Sequence, residues 1–157
     1  MNTILKFIFA MVVSFIPGIL GRMFTPSGGS DVWFNTLNKS FLTPDGWVFG
    51  VAWTLLYAIL GVALFLILKN NSSACKKSTS YWLFVAHMVL NAGWTFLFFG
   101  LQMPVPALLV LLGLISVSLW MSREFYYISR TASYLVWPYI AWLVFALYLN
   151  GTIVLMN

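Results

Sequence analysis

Five stretches of the chain are long and apolar enough to cross a bilayer, and polar residues cluster in the connections between them. The first runs from Ile4 to Phe24, about 20 residues and so about 30 Å of helix, the thickness of a hydrocarbon core. Lys6 can snorkel to the near interface, and Pro17-Gly18 predicts a bend of the kind neighbouring helices make tolerable. The segment is read as a retained helix and not as a signal peptide, because Arg22 closes the run and no small-x-small site follows it cleanly. Further spans are expected over residues 47–68, 81–100, 105–121 and 134–156. The short uncharged turn Gln102-Met103-Pro104-Val105-Pro106 makes the third and fourth spans antiparallel neighbours. The expected fold is all-α, an integral membrane bundle of five transmembrane helices forming a single domain over residues 1–157.

The longest connection, residues 25–46, opens with Pro26-Ser27-Gly28-Gly29, which is turn and linker chemistry. It then carries Trp33, Phe34 and Phe41, rings that are costly in water and are expected to dock on the bundle or lie among lipid headgroups. Thr43-Pro44-Asp45 reads as a helix start, with Thr43 as cap and Pro44 in the first turn. Residues 69–78 form a polar, basic connection, and Arg123, Glu124 and Arg130 mark the last one.

Helical spacing picks out three faces. Phe49, Trp53, Tyr57 and Gly61 recur at four-residue steps on the second span. On the third, His87, Asn91, Trp94, Thr95 and Phe98 share a side, so their polar groups point into the bundle and away from lipid. On the fifth, Pro138, Trp142, Phe145, Ala146 and Leu149 line up, with Asn150 just beyond. Aromatic residues so spaced serve plain packing as readily as a ligand cavity.

Composition narrows the class. With 62% hydrophobic, 18% aromatic and 7% charged residues, the chain lies far from the roughly 25% charged content of soluble domains. Its net charge of +5 comes from cations at the span ends, which suits lipid headgroups and topology, not nucleic acid. Lys6, Lys69, Lys76, Lys77, Arg123 and Arg130 fall on one side against Arg22 and Lys39 on the other, so the amino terminus is expected in the cytoplasm. The single Cys75 excludes an intrachain disulfide or a multi-cysteine metal site. One histidine and three acids offer no ordinary hydrolytic constellation, and no dinucleotide, P-loop or clustered metal motif is present. No metal or obligatory cofactor is expected.

Trp33, Lys39, Thr43-Pro44 and Trp53-x-x-Leu56-Tyr57-x-x-x-Gly61, followed by Asn91-x-x-Trp94-x-x-x-Phe98-Phe99-Gly100 and Pro138-Tyr139-x-x-Trp142-x-x-Phe145-Ala146, resemble the tryptophan-rich sensory protein and translocator protein family, formerly called peripheral benzodiazepine receptors. The resemblance covers residues 33 to 150. It implies a bacterial-type member in the cell membrane, a homodimer, and binding of tetrapyrroles, protoporphyrin IX or haem, and of benzodiazepine-type ligands. The ligand-binding residues so implied, together with the faces above, are Trp33, Phe34, Phe49, Trp53, Tyr57, His87, Asn91, Trp94, Phe98, Trp142, Phe145 and Ala146. Light-dependent degradation of protoporphyrin is implied too, with Trp53 and Trp142 as the photochemical residues. Ser40, Leu42 and Asp45 depart from the family's proline, tryptophan and second proline, and imply a less rigid loop. The basic residue that the cholesterol pattern requires after Tyr148 is missing, which argues against sterol binding.

Three classes of function are consistent with these residues: a sensor or receptor for a flat apolar ligand, a photochemical enzyme, and a transporter of porphyrins or other apolar metabolites. Internal repeats or paired broken helices with intramembrane charge, the marks of many transporters, are not evident. His87 has three readings, an axial ligand to haem iron, a side chain hydrogen-bonded to a neighbour such as Asn91, or a donor to a bound ligand.

Overall fold

The structure is a computed structural model describing residues 2–25 and 32–157, with residues 74–76 traced by their backbone. The Pro26-Ser27-Gly28-Gly29 linker lies outside the described residues. The elements are α1 (Thr3–Arg22), α2 (Val32–Thr36), α3 (Gly46–Lys69), α4 (Ala74–Thr95), a π-helical turn continuing α4 (Phe96–Gly100), α5 (Pro104–Tyr126) and α6 (Arg130–Met156). Among the described residues five helices are long and apolar enough to cross a membrane.

The spans match the apolar runs, but their ends differ where polar residues continue a helix beyond the hydrocarbon. Helix α4 begins at Ala74 within the predicted connection, and α5 runs on past Met121 to Tyr126. Helix α3 starts at Gly46 with Asp45 in the capping position. Thr43 is therefore not the cap; it lies two residues before that position, and Pro44 precedes the helix. The Thr43 N–H instead closes a turn onto the Ser40 carbonyl at 2.9 Å. Helix α1 continues through Pro17, which is buried.

The long helices form a closed cycle in which α1 packs on α3, α3 on α6, α6 on α5, α5 on α4 and α4 on α1. Helices α4 and α5 are joined tightly, as the short turn predicted. Gln102 takes a left-handed φ of 56°, and the Met103 N–H returns to the Leu97 carbonyl, six residues back, at 2.9 Å, closing the π-helical end.

Close approach of α1 and α3 depends on glycine. A Cβ on Gly61 would stand 2.6 Å from Met11 Sδ and 2.8 Å from Ser14 Oγ, and one on Gly18 would stand 2.7 Å from the Tyr57 ring. Gly61 therefore serves the contact with α1, while Phe49, Trp53 and Tyr57 above it turn toward the interior.

Lys6, Lys69, Lys77, Arg123 and Arg130 occupy helix ends on one side of the bundle, where Asn70 joins two connections. Its Nδ2 donates to the Ile128 carbonyl at 2.9 Å, its Oδ1 accepts from the Ser72 N–H at 2.8 Å, and its carbonyl accepts from Lys77 Nζ. At the other side, the 25–46 connection is tied to the end of α6. Asn38 N–H donates to Asn157 Oδ1, Asn157 Nδ2 donates to the Asn38 carbonyl, and the hydroxyls of Ser40 and Tyr148 meet at 2.9 Å. Ser40, where a proline was expected, thus supplies a side-chain tether. Phe41 is 92% exposed and does not dock on the bundle.

Candidate ligand-binding site

Trp53 is the hub of the interior. Its ring stacks on Tyr57 at 5.4 Å and meets Tyr139 at 6.2 Å, Trp94 at 6.5 Å and Trp142 at 6.5 Å. These rings come from α3, α4 and α6, so the three sequence-predicted faces converge. Phe49 leans on Trp142 at 6.0 Å, and Trp142 on Phe145 at 5.6 Å. Ala146 is buried beside them.

Trp94 links this group to a second one under the loop. It stacks on Phe98 at 5.4 Å, and Phe98 in turn receives Trp33 at 5.6 Å and Phe34 at 6.2 Å. The π-helical turn presents Phe98 and Phe99 together, and Phe34 touches both. Trp33 and Phe34 reach them because α2 is held by Lys39, whose Nζ donates to the Phe34 carbonyl at 2.7 Å and sits 4.4 Å above that ring. Docking partly buries these rings and adds a cation–π contact.

One polar bridge crosses the aromatic interior. Tyr57 Oη donates to Asn91 Oδ1 at 2.7 Å, and Asn91 Nδ2 donates to Tyr139 Oη at 2.8 Å. Asn91 thereby satisfies both ends of its amide between α3 and α6, which a membrane interior demands. Nearer the loop, Trp94 Nε1 donates to Asn150 Oδ1 at 3.2 Å, and Asn150 Nδ2 to the Pro104 carbonyl at 2.9 Å.

His87 is not hydrogen-bonded to Asn91, whose amide instead engages Tyr57 and Tyr139. The imidazole is fully buried, edge-on to Tyr139 at 4.8 Å, with neither nitrogen in hydrogen-bond geometry with a partner. Trp142 Nε1 is likewise buried without an acceptor.

On the predicted face of α6, Ala146 and Leu149 are buried as expected, but the upper part is rotated by one position. Pro138 is exposed, and the buried line runs through Tyr139, Leu143, Ala146 and Asn150, with Trp142 and Phe145 on its flank. Tyr139 and Asn150 were missed as site residues. Each stood next to a chosen position, and the signal for them was a polar atom in an apolar helix with no partner in its own span.

The aromatic rings touch one another, and beside them a groove of 520 Å³ runs between α3 and α6 along Trp142 and Phe145. The fold and interior define a five-span helical membrane protein with a tryptophan-rich core crossed by the Asn91 and Asn150 amides. Residues 9–156 match the TspO/MBR family, and the chain belongs to that family. It is 34% identical to a tryptophan-rich protein TspO of Archaeoglobus fulgidus over 157 residues, 98% of each chain. It is 36% identical to one of Chlorobaculum tepidum over 142 residues, 89% of this chain and 88% of that protein. With human translocator protein it shares 31% identity over 119 residues, 75% of this chain and 70% of the human one.

Proposed function

We propose that this protein is a membrane receptor of the sensor and translocator type that binds tetrapyrroles of the protoporphyrin class, and related flat apolar ligands, among α3, α4 and α6. The observation that carries this reading is the convergence of Trp53, Tyr57, Trp94, Tyr139 and Trp142 from three helices. Stacking surfaces in that number, with only the Asn91 and Asn150 amides bonded to them among the described residues, favour a large π system with few polar groups. The ligand parts rings that touch in its absence, and linkage to porphyrin metabolism follows from its identity. Titration of protoporphyrin IX into the purified protein, read by tryptophan quenching, tests the reading; saturable quenching is expected, and its absence rejects it.

A photochemical role has its own support in the same geometry. Trp53 and Trp142 touch, so a ligand stacked on either lies beside two oxidisable rings, and an excited porphyrin can take an electron from them.

Orientation and assembly complete the proposal. The cationic side lies in the cytoplasm with the amino terminus, and the loop tied to α6 faces outward across the cell membrane. The protein forms homodimers through outer helix faces; added Cβ atoms on Gly93 and Gly113 would meet nothing within 4 Å inside the protomer, leaving room for a second helix. Crosslinking in membranes that never exceeds monomer mass rejects the dimer.

A further inference from the structure

The α3/α6 groove leads from the lipid-facing surface to the aromatic interior. Ala52 and Ala141 leave its space, Leu55 and Ile59 wall one side, and Trp142 and Phe145 the other. Leu55 is 59% exposed, so at this depth the groove meets acyl chains, not water. Its 520 Å³ falls within the range of small-molecule sites, about 300–1,000 Å³.

Trp142 belongs to both places. It lines the groove and also touches Phe49 and Trp53 in the interior. Its buried Nε1 has no acceptor, and an unmatched donor away from water is a standing cost that a ligand's carbonyl or carboxylate relieves. A bare acyl chain cannot do this. On the other wall, the interior rings are packed against each other, so an incoming flat molecule needs a stopping place from which one ring swing admits it.

We infer that the α3/α6 groove is a lateral port through which a flat, apolar, acceptor-bearing ligand passes from the bilayer to the aromatic interior, with Trp142 as the ring between. The inference rests on the ligand reading above and names the route to that site. A port sets rates in both directions without changing the depth of the final well.

The test uses the full chain in proteoliposomes, with protoporphyrin IX delivered from donor vesicles and binding followed by rapid tryptophan quenching. Ala141→Phe fills the groove from its exposed wall and is expected to slow association and dissociation together by about tenfold, with affinity held within about twofold. Leu55→Ala widens the groove and speeds both, and opposite signs in two variants are not a folding defect. Val144→Phe, an exposed position on α6 outside the groove, leaves the rates as they are. Intact affinity with unchanged rates in both groove variants overturns the port and leaves an acyl chain as the groove's occupant. Loss of affinity in Ala141→Phe at an unchanged association rate also overturns it, because the groove is then the binding site and not the way in. No saturable quenching in the unmodified protein removes the ligand reading itself, and the port with it.

Discussion

Asn38 and Asn157 hold each other reciprocally. The Asn38 N–H donates to Asn157 Oδ1 at 2.9 Å, and Asn157 Nδ2 donates to the Asn38 carbonyl at 3.0 Å. A loop is thereby fastened to the end of the last helix by a residue pair 119 positions apart. Asn157→Ala removes the side-chain half of this pair. Because the bonds are exposed, the expected loss is only about 1 kcal/mol, and it falls on the loop and not on the bundle. Amide exchange should quicken around Asn38 and Ser40 while the mid-helix amides of α3 and α6 keep their rates. Equal acceleration in both places would mean that the pair supports the whole fold.

Asn91 is the amide that both interior tyrosines use. Asn91→Leu leaves Tyr57 and Tyr139 without this partner, and thermal unfolding in detergent should fall by an equivalent of about 1–2 kcal/mol, near the upper end for polar contacts between membrane helices. Adding Tyr57→Phe and Tyr139→Phe should recover part of the loss, because the stranded hydroxyls are then gone. No recovery in the triple variant would place the cost in packing.

Much of this fold is legible in the sequence because membrane spans announce themselves as apolar runs. The larger differences of extent, at the start of α4, the end of α5 and the start of α6, arise where Lys77-Ser78, Arg123-Glu124 and Arg130-Thr131 continue a helix past the hydrocarbon. Composition marks where the membrane stops, not where the hydrogen-bond ladder does. The inward faces were harder. On α6 nearly every residue is apolar, so periodicity is weak, and Pro138 was chosen where Tyr139 is buried. Partnerships were hidden for a different reason: Tyr57 with Asn91 and Trp94 with Asn150 join separate helices, and spacing within one helix cannot reveal them.

Ligand handling separates from photochemistry in three substitutions. Ala146→Phe places a ring in the buried wall beside Trp142 and should weaken protoporphyrin binding by about tenfold or more. Trp53→Phe and Trp142→Phe keep an aromatic surface and should retain most of the affinity while slowing ligand loss under illumination. Quenching titration followed by absorbance in light measures both. Unchanged affinity in Ala146→Phe counts against the site, and unchanged photoloss in both tryptophan variants ends the electron-transfer reading.

Orientation can be read with single cysteines in a Cys75→Ser background. Phe41 and Tyr127 are 92% and 65% exposed and belong to opposite sides of the bundle. Phe41→Cys should react with an impermeant thiol reagent in intact cells, and Tyr127→Cys only after permeabilisation. The reverse pattern would invert the topology.

Gln102 is the left-handed residue that lets α4 turn into α5. Gln102→Val puts a β-branched side chain into that conformation and should cost about 1–2 kcal/mol, whereas Gln102→Gly should be neutral or slightly stabilising. Thermal melts of the pair decide it; equal melts would mean the turn relaxes to another geometry.

The cyclic packing of the five long helices has a consequence for how such a protein can change over time. Each helix leans on two neighbours and none runs through the centre, so the middle of the molecule is built from side chains alone. Interior residues can be exchanged with the scaffold left standing, provided that glycines such as Gly61 keep the outer seams closed. Such a plan lets the interior sequence drift far while the outer seams hold, in keeping with a relative that shares only 34% identity with this chain over 98% of its length.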